Sequence, residues 1–331
     1  MNAKNVSRLF PGFIAAALVA ALAYAAKWSI GGAVMLYALL LGMPMHFLMR
    51  RPAWAPGVEF TAKRVLRFGV ALLGVRITLA DASALGVPTL ALVVSAVVFT
   101  LTVGFAAARL FKLDKDFAML SAGAVAICGA SAALAIAAVL PATRDAERNT
   151  ILTVVAVTAL STVAMIVYPL LVGLLGYTDV TAGVFLGASI HDVAQVVGAG
   201  YTVSPQAGDT ATLVKLTRVA CLVPAVACIA WLFRQRHADA GSTKVPALPL
   251  FLLSFVALML VNSAGLLPAE VVAVLRVLSE YCLVIAVAAL GIKTSLRGLV
   301  SVGFGPIGAI VSQTLLLAVF VIAVLAVIGP G

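Results

Sequence analysis

Residues 187–200 read GASIHDVAQVVGAG and place a histidine and an aspartate inside a long apolar run. The run extends over residues 180–202, which suffices for a membrane helix, since crossing a bilayer takes about 20 apolar residues. A charged side chain at the centre of such a helix costs about 2.5–3.5 kcal/mol even on a lenient insertion scale. His191 and Asp192 therefore predict a functional site inside a membrane.

The composition of the whole chain also indicates a membrane environment. Of its 331 residues, 63% are apolar and only 10% are charged, whereas a soluble protein has about 25% charged residues. The net charge of +10 comes from basic residues in short clusters between apolar runs, without interleaved aromatic residues. Such clusters are typical of membrane topology. The sequence therefore predicts a lipid bilayer as the environment and no nucleic-acid partner.

The apolar runs predict an all-α polytopic membrane protein, a single membrane domain over residues 1–331 with about 11 transmembrane helices. The predicted spans are residues 10–26, 30–49, 61–79, 86–110, 117–140, 149–175, 180–202, 209–233, 246–262, 270–296 and 303–328. A flexible polar stretch at 234–247 is the longest connection and is predicted to be a cytoplasmic linker loop.

The distribution of basic residues predicts the orientation in the bacterial inner membrane. The predicted external loops hold only Lys27, Arg144 and Arg148, and the other loops hold the larger basic clusters. Because cytoplasmic loops are enriched in Lys and Arg, the N-terminus is predicted in the cytoplasm and the C-terminus outside. The first apolar run also has a signal-peptide pattern ending at Ala23-Tyr24-Ala25, but a retained helix is favoured because a multispan protein needs no cleaved signal.

Two stretches echo each other and suggest an inverted repeat. Residues 71–79 (ALLGVRITL) and 288–296 (AALGIKTSL) each place a glycine two residues before a cation, on spans predicted to run in opposite directions. Inverted repeats are common in secondary transporters. We predict an extra N-terminal helix at 1–29, a first five-helix repeat at 30–175 and a second at 180–328.

Two Gly-Ala-Ser triplets, at 129–131 and 187–189, lie in the middle of predicted spans. They are either close-packing motifs or points where a crossing helix is broken and its N–H groups face a substrate. Both spans run in the same direction, so the triplets do not follow the symmetry of the first pair of stretches. The repeat register stays open.

Two cations complete the candidate site. Lys215 and Arg218 are three residues apart and share one face of their helix. We expect them to pair with Asp192, with an anionic substrate, or with both in alternation; snorkelling is the alternative. For Arg76, near the end of its span, snorkelling is the simpler interpretation. The predicted substrate-binding residues are Gly129, Ala130, Ser131, Gly187, Ser189, Gln195, Lys215 and Arg218, and the predicted proton-coupling residues are His191 and Asp192.

The chain carries no recognisable enzyme signature. It lacks HExxH, GxSxG and P-loop motifs. The four cysteines lie in apolar stretches without a CxxC pair. We therefore expect no catalytic residues, cofactor or metal, and transport would run on an ion gradient or on the gradient of the substrate.

Four stretches, residues 187–201, 126–132, 67–79 and 212–218, resemble the YeiH-type family of bacterial membrane proteins, which carries the label of sulfate exporters. The likeness runs from about residue 30 to 328. The resemblance implies a place in the superfamily of sodium/proton antiporters and bile-acid symporters. Those proteins have two inverted five-helix repeats, unwound crossing helices, and a core domain that moves against a panel domain.

The leading hypothesis is a secondary transporter of a small inorganic or organic anion, such as sulfate, sulfite or a small organosulfonate, coupled to H+ or Na+. The two triplets would hold the anion at helix N-termini. Two alternatives stay open: a cation/proton antiporter or sodium symporter that binds its cation at Asp192, and a non-transporting membrane sensor. Intramembrane cations outnumber acids, which favours an anion. The oligomeric state stays open, with a homodimer as one option.

Overall fold

The computed structural model describes residues 3–141, 143–234, 249–294 and 304–328, and all the regular structure in these ranges is helical. The predicted linker at 234–247 lies outside them, apart from Arg234. The α-helices are α1 Ala3–Ile30, α2 Val34–Gly42, α3 Ala55–Phe60, α4 Leu66–Leu72, α5 Leu79–Ala84, α6 Gly86–Leu110, α7 Lys115–Ala126, α8 Ala130–Ala137, α9 Ala146–Leu174, α10 Asp179–Ser189, α11 Val193–Val203, α12 Pro205–Ala220, α13 Leu222–Arg234, α14 Leu250–Ser263, α15 Ala269–Lys293 and α16 Phe304–Ile328. A 3-10 helix at Met43–Arg50, a π-helical turn at Thr61–Val65 and a 3-10 turn at Leu73–Val75 join the early helices.

Several helices are long and apolar enough to cross a bilayer, so the chain is a multi-pass membrane protein. Within the described ranges, 6 helices meet this criterion: Arg8–Ile30, Gly86–Leu110, Ala146–Leu174, Pro205–Phe233, Ala269–Lys293 and Phe304–Ile328. Shorter apolar helices lie at Val34–Arg50, Val193–Val203 and Leu250–Ser263. Other predicted spans consist of shorter helices in series, and the total of about 11 stays a prediction.

The chain forms two compact units, each assembled from separate stretches of sequence. The first unit comprises Met1–Gly86, Val197–Asp209 and Pro249–Ser295. The second comprises Val87–Val196, Thr210–Leu248 and Leu296–Gly331. Each unit takes residues from both predicted repeats, and the repeat boundaries at 30–175 and 180–328 stay predictions.

Glycines bring the helices of the first unit close together. Helix α15 packs on α2, and α1 packs on α3. A Cβ atom on Gly291 would lie only 2.4 Å from the carbonyl oxygen of Leu39, and a Cβ atom on Gly42 would lie 2.5 Å from that of Ala288. Small residues permit such backbone contact, which stabilises helix pairs in membranes.

A polar cluster also lies in the first unit. Arg76 Nε is 3.3 Å from Asp209 Oδ1, and the Tyr201 hydroxyl donates to the same oxygen. The Arg76 guanidinium carbon also lies 5.3 Å from the centre of the Tyr201 ring. Snorkelling is therefore the wrong interpretation for Arg76, since its charge is paired with a carboxylate from a distant part of the sequence.

The glycine contact predicts a specific loss of stability. Gly291→Ala should lower the free energy of unfolding by about 1–3 kcal/mol, because the added methyl group overpacks the α2–α15 contact. Equilibrium unfolding by SDS titration in mixed micelles measures this difference. The matched control is Gly173→Ala, since no atom lies within 4 Å of a Cβ there. Equal stability of the two variants would contradict the close contact.

Candidate functional site

Two helical segments of the second unit are interrupted. Helix α7 ends at Ala126 and α8 begins at Ala130, and between them Gly129 has φ 63° and ψ −122°. Helix α10 ends at Ser189, Ile190 is extended with φ −72° and ψ 141°, and α11 begins at Val193. The helix is therefore broken at Gly129 within the first triplet, and directly after Ser189 in the second stretch.

The position of the second triplet differs from the prediction. Gly187 and Ser189 lie in the last turn of α10, at a helix C-terminus, and not at an N-terminus as expected. Gly187 instead serves close packing, because a Cβ atom there would lie 2.5 Å from the carbonyl oxygen of Ala211. The Ser189 hydroxyl donates to the carbonyl oxygen of Phe185 at 2.5 Å. Both residues are thus engaged within the helical scaffold.

The first triplet does lie at a helix N-terminus. Gly129 is the N-cap of α8, and Ala130 is the first residue of that helix. Ser131 follows in the first turn and is exposed. The positive φ of Gly129 suits a residue without a Cβ atom, so glycine at this position permits the break.

Arg218 on α12 joins the two interruptions. Its guanidinium group is fully buried. Nε donates to the carbonyl oxygen of Ala126 at 2.6 Å, and Nη2 donates to that of Val125. Nη1 donates to the carbonyl oxygens of Ala188 at 2.7 Å and Ile190 at 3.2 Å. One side chain thus bonds the ends of both α7 and α10.

Lys215 lies one turn earlier on α12 and has the same role. It is also fully buried, and its Nζ donates to the carbonyl oxygens of Ile127 at 2.7 Å and Ile190 at 2.8 Å. The last carbonyls of a helix have no partner within that helix and carry its negative partial charge. Lys215 and Arg218 supply both the missing donors and the compensating charge.

His191 is held by a chain of hydrogen bonds that decides its tautomer. Its Nε2 lies 2.9 Å from Thr314 Oγ1 on α16, and that hydroxyl donates to the carbonyl oxygen of Ile310 at 2.8 Å. The hydroxyl has a single hydrogen; with that hydrogen on the carbonyl oxygen of Ile310, Oγ1 accepts from Nε2–H of His191. Nδ1 is then the unprotonated nitrogen. This buried atom has no hydrogen-bond partner among the described residues.

The start of α11 carries a second unpaired acceptor. Gln195 Nε2 donates to Thr162 Oγ1 at 3.4 Å, and that hydroxyl donates to Thr158 O at 3.1 Å. The amide oxygen of Gln195 is buried and has no partner among the described residues. The backbone N–H of Asp192 donates to Ser161 Oγ at 3.1 Å, and Asp192 is partly exposed.

The two interruptions meet at one place in the second unit. A Cβ atom on Gly129 would lie 3.5 Å from Cβ of His191, so the N-terminus of α8 is adjacent to this histidine. The first N–H groups of α8 and α11 have no partner within their helices and carry positive partial charge. The structure therefore combines two helix N-termini, two buried cations, one carboxylate and two unpaired acceptors.

Sequence reasoning missed the hydroxyls that orient this site. Thr314 holds His191, and Ser161 and Thr162 hold the start of α11. One signal was available, since Ser312, Gln313 and Thr314 form a polar triplet in the otherwise apolar helix α16. The carbonyl partners of Lys215 and Arg218 were also missed, because main-chain groups leave no mark in a sequence.

Within the described ranges, no group of three or more His, Cys, Asp or Glu side chains could hold a metal ion.

The architecture is that of a multi-pass membrane protein with interrupted helices, and comparison with known proteins places it in a family. The family described as Conserved hypothetical protein 698 matches residues 11–310. Proteins named UPF0324 membrane protein TauZ from Paracoccus denitrificans and Paracoccus pantotrophus are each 51% identical over 327 residues, which is 98% of this chain and 97% of theirs. A UPF0324 membrane protein of Chlorobaculum tepidum is 46% identical over 317 residues, 95% of this chain and 88% of its own.

The chain belongs to the UPF0324 family of membrane proteins. This is the YeiH-type family that the four sequence stretches resemble, so that resemblance is confirmed. No solved structure matches the chain.

The contacts of Arg218 predict a large loss of stability when its side chain is shortened. Arg218→Gln should lower the free energy of unfolding by about 3–9 kcal/mol, because three carbonyls lose their donor and each buried carbonyl left unpaired costs about 1–3 kcal/mol. Arg218→Lys should recover only part of this loss, since an ammonium group lacks the planar fork of donors.

The measurement is SDS-induced unfolding of the purified protein. Arg64→Gln removes an exposed arginine and serves as the control, with an expected change within about 0.5 kcal/mol. If Arg218→Gln unfolds like Arg64→Gln, the guanidinium does not brace the two helix ends.

Proposed function

We propose that this protein is a secondary transporter of a small anion, with sulfate, sulfite or a small organosulfonate as candidate substrates, driven by a proton or sodium gradient. It would work in the bacterial inner membrane with the N-terminus in the cytoplasm and the C-terminus outside. The anion would bind at the N-termini of α8 and α11. Gly129, Ala130, Ser131 and the backbone N–H of Gln195 are the candidate contacts, and His191 and Asp192 are the candidate coupling residues.

This proposal rests on the separation of negative helix C-termini from positive helix N-termini at the two interruptions. A broken helix presents both a negative C-terminus and a positive N-terminus. Lys215 and Arg218 bond the carbonyls of the C-terminal sides, including Ile127 O and Ala126 O. The N-terminal sides present backbone N–H groups. Because such groups at helix N-termini bind anions, this is where a ligand can bind.

Lys215 and Arg218 act in this proposal through their field and not through direct contact. Their hydrogen bonds go to carbonyl oxygens, but their charges remain next to the site, because both cations bond the carbonyl of Ile190, the residue before His191. In a buried, weakly polar region such charges act strongly over short distances. Two cations and one partly exposed carboxylate, Asp192, give the site a positive balance.

The same observation weighs against a cation transporter. Na+ sites at broken helices use unwound carbonyls and half-helix C-termini. Here the carbonyls of Ile127 and Ile190 already accept from Lys215, and a metal cation would have to displace this ammonium group. Asp192 and the amide oxygen of Gln195 would then have to bind the ion.

A transport assay tests the proposal. Purified protein in liposomes should take up radiolabelled sulfate or sulfite, or a small sulfonate, faster than protein-free liposomes when a proton or sodium gradient is imposed. Absence of flux for all three under either gradient contradicts the proposal. Proton movement on addition of Na+ or K+ without an anion would support the cation antiporter instead. Anion-induced thermal stabilisation without flux would support a sensor.

Gly129 provides a test of the anion site itself. Gly129→Ala should weaken sulfate binding by about tenfold or more, because a side chain at this φ and ψ costs about 1–3 kcal/mol and a shift of the α8 N-terminus relieves the strain. The thermal stabilisation by sulfate, measured over a concentration series, reports the affinity. Gly173→Ala is the control. Unchanged affinity in Gly129→Ala would place the anion elsewhere.

A further inference from the structure

The unpaired nitrogen of His191 gives the site a place for a hydrogen. The side chain is fully buried. Its Nε2–H is committed to Thr314 Oγ1, whose own hydrogen goes to the carbonyl of Ile310, and Nδ1 has no partner among the described residues. A buried acceptor without a donor costs about 1–3 kcal/mol. The site is therefore incomplete until something donates to Nδ1.

From this geometry we infer that one proton from solution binds to Nδ1 of His191 whenever the anion binds, so that anion and proton move together. The inference rests on the proposed function and adds to it the coupling ion, its stoichiometry and its receiving atom. The proton adds to the nitrogen lone pair and makes an imidazolium, whose Nε2–H keeps its bond to Thr314. No other bond forms or breaks.

The charges around His191 explain why the proton needs the anion. Lys215 and Arg218 on α12 approach from one side, since both bond to Ile190 O. Asp192 is the next residue, and Cys128 belongs to the facing interruption. Helices α8 and α16 carry no titratable side chain, and those of α9, which holds Ser161 and Thr162, are Glu147, Arg148 and Tyr168. Beside two cations a third positive charge is unfavourable.

An arriving anion reverses this balance. Its negative charge at the neighbouring N-termini of α8 and α11 stabilises an imidazolium by direct attraction. Binding free energies are reciprocal, so whatever the anion contributes to proton binding, the proton contributes equally to anion binding. The anion and the proton therefore bind cooperatively.

Thr314 acts as a positioning residue in this mechanism. Its hydroxyl accepts from Nε2–H and thereby keeps the lone pair on Nδ1. Without it, the ring could place its hydrogen on either nitrogen and rotate. The Thr314→Val variant keeps the shape and loses this acceptor, whereas Thr314→Ser keeps it.

Calorimetry of the full-length protein in detergent tests the inference. Sulfate and methanesulfonate are the probes, because both stay ionised across the neutral range and any proton taken up must reside on the protein. Titrations in buffers of different ionisation enthalpy give the number of protons bound per anion. We expect a value near one, and a dissociation constant that rises about tenfold per pH unit once His191 is neutral in the free protein.

Variants assign this proton to its atom. His191→Gln should bind sulfate without proton uptake and without the pH slope. Thr314→Val should shift the pH profile, and Thr314→Ser should retain it. Thr100→Val is the matched control, because the buried Thr100 hydroxyl makes the same kind of bond to the carbonyl of Ala96, at 2.7 Å. It should behave like the unmodified protein.

The outcomes separate this inference from the proposed function. Sulfate binding without proton uptake in the unmodified protein overturns the inference alone. Binding restricted to anions that carry their own N–H or O–H group, again without uptake, overturns it as well and makes the ligand the donor to Nδ1. Proton uptake that persists in His191→Gln overturns the assignment to His191. No binding of any anion overturns both the proposed function and the inference.

Discussion

Arg218 and Lys215 hold the two interrupted helices of the second unit at their broken ends. Between them they donate to the main-chain carbonyls of Val125, Ala126 and Ile127 and to those of Ala188 and Ile190. Breaking a helix inside a bilayer leaves polar groups that lipid cannot satisfy, and such irregular backbone persists only where protein groups or a water-filled cavity meet it. A single turn of α12 meets both sets of carbonyls, and the geometry of the site depends on this turn.

This bracing divides the polar groups of the interruptions into two sets. The carbonyl groups accept hydrogen bonds from Lys215 and Arg218. The N–H groups at the start of α8 lie next to His191. Ser161 accepts from the backbone N–H of Asp192, and Thr162 and Thr314 hold the side chains of Gln195 and His191. The charge balance and the tautomer of His191 thus follow from the same scaffold.

The first unit uses a different principle. Its helices approach through glycine contacts such as Gly42 and Gly291, and its main polar cluster pairs Arg76 with Asp209 and Tyr201. Every member of this cluster has a partner, and the contact atoms of the glycines are backbone. Among the described residues, the second unit instead leaves four buried atoms unpaired: Thr153 Oγ1, His191 Nδ1, Gln195 Oε1 and Gln313 Oε1. A ligand or water can complete such groups, and two of them, on His191 and Gln195, lie at the candidate site.

The sequence by itself determined the membrane environment, the helical class and the segments that carry the site, because apolar run length and the energetic penalty of buried charge are local properties. The sequence located both helix breaks, but it placed Gly187 and Ser189 on the wrong side of the second break. The Gly-Ala-Ser triplet could not show that the chain becomes extended only at Ile190. Tertiary structure alone decided that Lys215 and Arg218 bond carbonyls and that Thr314 sets the tautomer of His191. Those partners lie tens of residues or more away in the chain, and main-chain acceptors are identical at every position, so no sequence pattern records them.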